Sequence, residues 1–375
     1  MPDNKKDKPI FRYKNIFLQS SHQFIGNTLE YFIAHTEKLV VFIVMPRVKN
    51  KDNTVRLYKY GELIEEKPFI LSQNVFLYYL VWYLEYLKAL RKYYTRKERF
   101  FAVVFHPVFF FGTTMQNFWR NIDFVYWVGD YFPGNNIFIL LFERLKKFYH
   151  DRVSYSCYAS NMINKILNGQ VLSNMNRKTV MLGVNPKEIK RTLKREGLNI
   201  LFIGLIKPSQ GLELFFDFLK DNREYKLKII GVCEKNLFSK YMTVIKKLKI
   251  EDRVYFPNRF FSEDELIDIS RQCQIGIALY EDNPSNVTYY TDPGKVKTYL
   301  ELGLPVIMSN IPSIASYIQE YKAGEIVERT QPSLTNAVKN IKMNYLGYIK
   351  GVKRFNRHFY YENYYQGKFK FLERG

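Results

Sequence analysis

Three ionisable side chains, Asp292, Lys295 and Glu301, occur close together in a short segment of this 375-residue chain. Pro293 suits the start of a helix, and Gly303 suits its end, because glycine adopts the left-handed conformation that closes many helices. Lys295 and Glu301 are six residues apart, nearly two helical turns, and we expect both to face one ligand from different levels. The segment therefore predicts a turn and helix that bind a ligand.

A second group of polar residues follows two apolar stretches that predict buried strands. Gly204, Lys207 and Gln210 come after the first stretch, and the helix predicted to begin near Gln210 offers backbone N–H groups that suit a phosphate. Tyr280 ends the other stretch and opens a long polar loop. We expect this loop to cover a ligand, although an ordinary mobile loop is the alternative.

These segments resemble the C-terminal half of retaining GT-B glycosyltransferases of the group 1, family-four-like type. The resemblance is carried by 199–204, 253–256, 274–280, 323–327 and, above all, Glu301 followed by Gly303-Leu-Pro-Val. In that family two glutamates separated by seven residues bind the donor, and the second of them binds the ribose. The resemblance implies this ribose contact for Glu301.

The family motif is divergent in this chain. Proline stands at position 293, where the first glutamate is expected, which makes Asp292 the natural substitute carboxylate. Leu205 and Gln210 stand where the family has arginine and lysine, so Lys207 and Lys295 would supply charge to the diphosphate. The donor-binding residues that follow from the resemblance are Gly204, Lys207, Gln210, Tyr280, Asp292, Lys295 and Glu301.

The implied reaction moves a sugar from a nucleotide diphosphate sugar to a glycan or lipid-linked acceptor, in cell-surface polysaccharide or glycolipid biosynthesis. The resemblance implies retention of configuration, with the departing phosphate oxygen receiving the acceptor's proton. It also implies no metal and no cofactor beyond the nucleotide sugar as co-substrate. The sequence contains no Asp-x-Asp that would hold a metal on the diphosphate, in agreement with this picture.

The N-terminal half carries candidate residues where predicted strands end. His106 follows an apolar strand and precedes proline, and Asp130 has the same position after the next strand. Either side chain can assist an acceptor hydroxyl, whereas a structural histidine and a turn-forming aspartate are the alternatives. His22 and Gly26 lie in the loop after the first strand, which in GT-B enzymes approaches the donor phosphates and the acceptor.

The chain has a net charge of +21, and 17% of its residues are aromatic, which favours anionic partners. Trp82 lies in an aromatic stretch that precedes a cationic one containing Lys88, Arg91 and Lys92. Such a helix suits an anionic membrane surface, whereas a core helix with a solvated last turn is the alternative. The N-terminus does not resemble a secretory signal, so we expect a cytoplasmic protein, peripheral at the inner membrane face.

Two other function classes stay open. A basic, aromatic surface suits nucleic acid, but no recognised nucleic-acid motif occurs, so no nucleic acid is expected. The altered donor motif also permits a GT-B scaffold that has lost catalysis.

Alternation of strand-like and helical segments predicts an α/β fold with two doubly wound, Rossmann-like domains facing across a cleft, the GT-B architecture. A charged stretch without apolar periodicity precedes residue 198 and separates the two series. We divide the chain into an acceptor-binding domain at 1–185, a nucleotide-sugar-binding domain at 186–345, and a C-terminal helix at 346–375 that crosses back to the first domain.

Overall fold

A computed structural model describes residues 11–20, 27–45, 53–94, 97–107, 121–134, 136–189 and 198–374. The chain forms two compact units, one comprising 1–182 with 361–375 and the other comprising 183–360. Across the described ranges, every helix is too short or too polar to cross a membrane.

The first unit is built on a sheet of eight strands flanked by helices. The strands are β1 (Tyr13–Ser20), β2 (Thr36–Ile43), β3 (Asn53–Lys59), β4 (Glu62–Phe69), β5 (Phe100–Val104), β6 (Ile122–Val128), β7 (Tyr155–Tyr158) and β8 (Arg177–Thr179). The helices are α1 (Thr28–His35), α2 (Val75–Tyr93), α3 (Ile137–His150) and α4 (Asn161–Asn168). The strand order is β4-β3-β2-β1-β5-β6-β7-β8, so the chain changes direction across the sheet between β1 and β5.

The parallel part of this sheet was predicted from apolar runs, and the strands β1, β2, β5, β6 and β7 are confirmed. The antiparallel hairpin of β3 and β4 was not predicted. Strand β4 is an edge strand whose residues are mostly exposed and charged, so it lacks the continuous apolar run of a central strand. The turn uses Tyr60 and Gly61, both at positive φ.

Aromatic side chains from the C-terminal end of the chain complete the core of the first unit. Helix α12 (Tyr361–Lys368) places Tyr365 against Tyr31, and Phe369 packs on Trp127 with ring centroids 5.3 Å apart. Thr28 donates a hydrogen bond to the Tyr365 hydroxyl at 3.1 Å. The last residues therefore stabilise the N-terminal sheet.

The second unit contains a six-stranded parallel sheet. Its strands are β9 (Asn199–Ile203), β10 (Lys226–Ile230), β11 (Val254–Tyr255), β12 (Ile275–Ala278), β13 (Val306–Ser309) and β14 (Gly324–Val327), in the order β11-β10-β9-β12-β13-β14. Its helices are α5 (Leu212–Asp221), α6 (Lys235–Lys247), α7 (Glu263–Arg271), α8 (Gly294–Glu301), α9 (Ala315–Glu320), α10 (Gln331–Met343) and α11 (Tyr345–His358). The alternation of strands and helices that the sequence predicts for this half is confirmed.

Helix α11 belongs to the second unit, which differs from the segment boundary drawn at residue 346. Asn356 on α11 donates a hydrogen bond to the Leu300 carbonyl at 2.6 Å and so ties α11 to α8. The chain joins the first unit from Tyr361. The apolar periodicity of α11 and α12 does not reveal which sheet each helix covers, because both present aromatic residues.

Candidate functional site

The parallel sheet of the second unit has a topological switch point between β9 and β12, because β10 and β11 lie on one side and β13 and β14 on the other. Open α/β sheets bind ligands in the crevice at such a point, outside the carboxyl ends of the strands. The Tyr299 hydroxyl lies between these two strands. It accepts a hydrogen bond from the Ile203 N–H at 2.8 Å and donates one to the Ile277 carbonyl at 3.0 Å.

Tyr299 also explains a glycine in β12. A Cβ atom at Gly276 would lie 2.3 Å from the Tyr299 ring, so no larger residue fits there unless the ring moves. The ring and hydroxyl together fix helix α8 against the switch point. The first turn of α8 is thereby directed at the carboxyl end of β9.

Lys295 lies in that first turn, and its amine approaches the turn after β9. A Cβ atom built on Gly204 would be 3.8 Å from the Lys295 Nζ, and the same Nζ is 4.2 Å from the centroid of the Phe202 ring. The Nζ is buried and has no hydrogen-bond partner among the described residues. A cation in the first turn of a helix is also opposed by the helix dipole. Both features favour an anion from outside the chain.

Burial, with a smaller effect from Lys207, lowers the pKa of Lys295 to about 7. The Tyr280 ring, at the end of β12, lies 5.7 Å from the Lys295 Nζ. The structure thus brings Gly204, Lys207, Tyr280 and Lys295 together at one edge of the sheet, as the sequence predicted. This cluster is a concentration of positive charge around a glycine turn, which suits a phosphate group.

The start of helix α5 adds a second set of donors near the same sheet edge. Gly211 precedes α5 at φ 70°, and a Cβ atom there would lie 2.9 Å from Leu279 and 3.5 Å from an Arg329 Nη. Gln210 immediately precedes Gly211, and its Oε1 is buried without a hydrogen-bond partner within the described ranges. Backbone N–H groups at the start of a helix bind anions.

Arg329 was missed by the sequence reasoning. It follows β14 and pairs with Glu281 at 3.2 Å, so it lies at the carboxyl edge shared with Tyr280 and Gly211. Its position just after a parallel strand is the signal that could have identified it.

Asp292 lies in a buried ion pair that the sequence did not predict. Its carboxylate forms an ion pair with Lys297 at 3.6 Å, and the two side chains are 1% and 4% exposed. The Lys297 amine also lies 4.9 Å from the Phe359 ring centroid. Burial lowers the pKa of Lys297, and Asp292 opposes that change. Asp292 is thus the ion-pair partner of a buried lysine, and its contact with a sugar hydroxyl stays a prediction.

Glu301 does not converge with Lys295. Six residues on an α-helix turn the side-chain direction by about 600°, which leaves the two side chains about 120° apart around the helix axis. The Glu301 Oε1 instead accepts a hydrogen bond from the Asn185 N–H at 2.7 Å, and the Glu301 carbonyl accepts one from the Lys187 N–H at 2.8 Å. Glu301 thus holds the segment before β9 in place. Thr298, three residues after Lys295, shares the lysine's side of the helix.

The first unit contains a pocket of about 430 Å³ at the carboxyl ends of β5 and β6. His106 and Asp130 both line it, so the structure brings these predicted residues together. The remaining lining is largely aromatic and includes Tyr79, Phe132 and Phe142. Burial, together with the nearby Lys146, lowers the pKa of His106 to about 4, so the ring is neutral at pH 7.

Lys146 is the polar residue of this pocket that sequence reasoning missed. Its amine donates to a Glu143 carboxylate oxygen at 2.7 Å and to the Asp130 carbonyl at 2.5 Å. Burial lowers the pKa of Lys146, and the Glu143 carboxylate opposes that shift. Nothing in the helical pattern of α3 distinguished Lys146 from its exposed neighbours, because the sequence alone did not show which side of α3 faces the sheet.

Gln19 occupies the switch point of the first sheet, between β1 and β5. Its side-chain oxygen accepts hydrogen bonds from the Phe105 and His106 N–H groups at 2.9 and 3.1 Å. These bonds fix the backbone from which the His106 ring emerges. The predicted residues His22 and Gly26 lie outside the described residues.

Comparison with known proteins finds a family match in the C-terminal half. Residues 184–345 match the family model described as glycosyl transferases, group 1. This match covers most of the second unit. The matched residues include every element that surrounds Lys295. No curated protein sequence matches this chain.

Similar solved structures establish the GT-B fold for the chain. Sucrose-phosphate synthase from Thermosynechococcus elongatus matches with a TM-score of 0.66 and 13% identity, over 96% of this chain and 98% of that one. Anabaena HepE in complex with UDP matches with a TM-score of 0.67 and 13% identity, over 96% and 100%. The lipopolysaccharide outer core galactosyltransferase WaaB matches with a TM-score of 0.60 and 15% identity, over 96% of this chain and 98% of that one. The predicted fold class is confirmed.

Among the residues that the structure describes, no group of three or more His, Cys, Asp or Glu side chains is arranged to hold a metal ion.

The predicted membrane residues separate into two kinds in this GT-B chain. Trp82 is 4% exposed and packs against His106 with ring centroids 4.9 Å apart, so it lies in the interior beside the His106 ring and not at a surface. Its spacing on α2 places it on the side that faces the sheet. Lys88, Arg91 and Lys92 are exposed, and Lys88 and Lys92 pair with Glu85 and Glu65.

Proposed function

We propose that this chain transfers a hexosyl group from a nucleotide diphosphate sugar to a hydroxyl group of a glycan or lipid-linked acceptor, with retention of configuration and without a metal on the diphosphate. The pathway we propose is the synthesis of a cell-surface polysaccharide or glycolipid. The match of most of the second unit to the group 1 glycosyltransferase family model supports the reaction class. The solved relatives that carry UDP or act on lipopolysaccharide support the choice of donor and pathway.

One observation carries the donor assignment. The Lys295 amine is buried at the switch point without a hydrogen-bond partner among the described residues, beside the glycine turn after β9. Burying an ammonium group without a partner is unfavourable, and a phosphate oxygen would relieve that cost. A donor diphosphate at Gly204 would meet Lys295 directly, with Lys207 beyond it. The N-terminus of α5 would add uncharged donors.

In the proposed transfer, the bond between the sugar C1 and the departing phosphate oxygen breaks. A bond from C1 to the acceptor oxygen forms on the same face of the sugar, and the acceptor proton passes to that phosphate oxygen. Charge therefore develops on the diphosphate as the C1–O bond lengthens. Lys295 and the helix N-terminus stabilise this charge, which is the main contribution that the second unit makes to the rate.

We propose the pocket of the first unit as the acceptor site. A neutral His106 can accept a hydrogen bond from a hydroxyl group, and the Asp130 carboxylate is exposed beside it. Neither residue has to remove the proton, because the departing phosphate receives it. We assign both residues to orienting the acceptor hydroxyl.

Nucleotide binding is the first test. Thermal unfolding of the purified full chain is measured with UDP, GDP, ADP, CMP and no nucleotide. A selective nucleotide at a hundredfold excess over its Kd should raise Tm by about 5–10 °C. Lys295→Met should abolish this rise, while Lys339→Met, an exposed lysine on α10, should retain it. A Tm rise that Lys295→Met leaves unchanged would show that the nucleotide does not use the switch point.

Transfer is the second test. The nucleotide sugars that share the selected base are incubated with the chain and with oligosaccharide or glycolipid acceptors, and the released nucleotide and the anomeric configuration are measured. Selective nucleotide binding with no release of nucleotide from any donor would instead identify a GT-B scaffold without catalysis. Tight, salt-sensitive binding of RNA or DNA without any nucleotide-sugar effect would favour the nucleic-acid alternative.

A further inference from the structure

Helix α3 of the first unit is turned with its apolar side outward. Six apolar side chains on this helix are between 41% and 78% exposed, namely Ile137, Phe138, Leu140, Leu141, Leu145 and Phe148. The inward side carries the buried Lys146 and His150 and the Glu143 carboxylate that pairs with Lys146, beside the buried Tyr149 ring. An amphipathic helix on a water-soluble surface has the opposite arrangement.

The outward residues form a continuous stripe. Ile137, Leu141, Leu145 and Phe148 follow the spacing that places side chains along one side of a helix. Each of these four side chains is more than 40% exposed. Contiguous apolar surface of this kind marks an interaction site, because single exposed apolar residues would be scattered around the helix.

Helix α2 contributes a second exposed apolar stripe beside the same pocket. Leu77, Leu80 and Leu84 are each more than 40% exposed. Tyr79 of α2 and Phe142 of α3 both contact the His106 ring, with centroids 6.1 and 5.3 Å away. The two helices therefore flank the pocket, and exposed Phe138 of α3 is one of its lining residues.

The charges around these stripes select the occupant. Arg144 and Lys147 are exposed on α3, and Arg152 lies over the Phe148 ring at 3.7 Å. On α3 and the residues just after it, Asp151 is the exposed acid, and its partners are Lys147 and His150. A second copy of this surface would bring like charges together, whereas anionic lipid headgroups complement them.

We propose that the outward side of α3, with the exposed leucines of α2, docks on an anionic lipid bilayer. The apolar side chains enter the boundary between headgroups and acyl chains, and the cations contact the headgroups. The surface differs from the one predicted around Trp82, because that ring is buried. Docking on the bilayer does not depend on the proposed function. One consequence does rest on it: a lipid-linked acceptor would reach the His106 pocket directly from the bilayer.

The test uses the full chain and sedimentation with vesicles of phosphatidylcholine, with or without phosphatidylglycerol. The wild-type chain should sediment with the mixed vesicles and much less with phosphatidylcholine alone. The variant Leu141→Ser/Leu145→Ser/Phe148→Ser should bind the mixed vesicles at least about tenfold more weakly. None of these three residues lines the pocket. Met343→Ser/Leu346→Ser, which changes two exposed apolar positions in the second unit, should bind like the wild type.

Two further variants complete the test: one removes a cation, and the other adds a fluorescent tryptophan. Arg144→Gln should weaken binding to the mixed vesicles about fivefold, because one cation near an anionic surface contributes about that factor. Leu141→Trp should show a blue shift of its fluorescence on addition of the mixed vesicles. Both variants are at exposed positions, and their far-UV circular dichroism and Tm check that they are folded.

The proposal is overturned if the triple variant binds the mixed vesicles as well as the wild type does, or if the two vesicle types bind equally. It is also overturned if no vesicle binds and the chain is a dimer that the triple variant dissociates, since α3 then joins two copies. The nucleotide-induced rise in Tm is measured on the same preparations. Its retention in the triple variant separates failure of membrane docking from failure of the proposed donor site.

Discussion

The carboxyl edges of the two sheets each hold a buried lysine, but the two lysines differ in their partners. In the first unit, Lys146 has a carboxylate from Glu143 and a carbonyl from Asp130. In the second unit, Lys295 has an aromatic ring below it and no hydrogen-bond partner among the described residues. Both lie near a switch point in a doubly wound sheet, so the difference comes from side chains and not from topology.

The paired lysine and the unpaired lysine suit different ligands. A lysine that already has a counterion adds little net charge, so its pocket suits an uncharged hydroxyl acceptor among aromatic rings. A buried lysine without a counterion destabilises the empty protein and gains most from an anion. This difference supports the proposal that the phosphate binds the second unit and the acceptor binds the first.

The largest expected effect is on stability and comes from breaking the paired site. Lys146→Met leaves Glu143 buried without its cation and should lower the free energy of unfolding by about 3–5 kcal/mol. Urea unfolding of the full chain, followed by fluorescence, measures the loss. Lys146→Met/Glu143→Leu should recover most of it. If the single variant is as stable as the wild type, the ion pair does not distinguish the two sites.

Removing the unpaired lysine should affect transfer and not stability. Lys295→Met should reduce kcat/KM for the nucleotide sugar by about 10²–10³-fold, because a charge-stabilising donor is lost in the transition state. Tm in the absence of nucleotide should be unchanged or raised, since the buried amine is unfavourable there. Steady-state kinetics and thermal unfolding check both parts. A fall in Tm with transfer intact would reverse the assignment.

The lowered pKa of Lys295 predicts a pH-dependent affinity. At about pH 7 in the empty protein this amine loses its proton, whereas the anion-bound site needs the charged form. Binding above pH 7 must therefore take up a proton, so Kd for the nucleotide should rise as pH rises, approaching about tenfold per pH unit above pH 8. Calorimetry in two buffers with different ionisation enthalpies measures the proton uptake. Residual binding by Lys295→Met should lack this dependence.

Removing the Tyr299 hydroxyl, which fixes the helix that carries Lys295, should have a smaller effect on stability and nucleotide affinity. Tyr299→Phe removes the hydroxyl between Ile203 and Ile277 and should lower the free energy of unfolding by about 1–2 kcal/mol. It should also weaken nucleotide binding several-fold, because helix α8 is no longer fixed to β9. The matched control is Tyr13→Phe, which removes a buried hydroxyl pair in the first unit and should leave nucleotide affinity unchanged. Equal affinity in both variants would contradict a positioning role for Tyr299.

The smallest expected effect is that of Glu301→Gln. It distinguishes the ribose contact implied by the family motif from the observed hydrogen bond to the Asn185 N–H. Glu301→Gln keeps an oxygen that accepts from the Asn185 N–H, so stability should change by less than about 0.5 kcal/mol. Nucleotide affinity should stay within about twofold. A loss of affinity of tenfold or more, measured by titration calorimetry, would support the ribose contact that the family motif implies for Glu301. The donor would then contact Glu301 as well as the side of α8 that carries Lys295.

Sequence patterns predicted most of the parallel framework because its strands are continuous apolar runs and its helices have clear apolar periodicity. Strands β9, β12 and β13 and helix α8 follow from such local signals, and so does the GT-B architecture. The antiparallel edge of β3 and β4 was missed because edge strands do not need that composition. The placement of α11 and α12 in different units was missed because both helices are aromatic.

Site residues were predicted where strand ends bring them together, as with His106 and Asp130, or with Gly204, Tyr280 and Lys295. Other predicted residues form contacts within the chain that the sequence does not reveal. Whether a charged side chain faces a ligand depends on which neighbour reaches it, and that neighbour lies far away in sequence. Lys297 forms an ion pair with Asp292, the segment before β9 donates a hydrogen bond to Glu301, and the packing of α2 buries Trp82.

The sequence by itself determined two doubly wound units, the elements that end at the sheet edges, and a strongly cationic chain. Tertiary structure alone decided that, of the two buried lysines compared above in the described ranges, Lys146 has a counterion and Lys295 does not, and which side of α3 faces outward. Periodicity specifies how side chains are spaced along an element, but it does not specify the rotation of that element against its neighbours. That rotation is set by long-range packing, such as the Tyr299 hydroxyl between β9 and β12 and the Lys146 pair beneath α3.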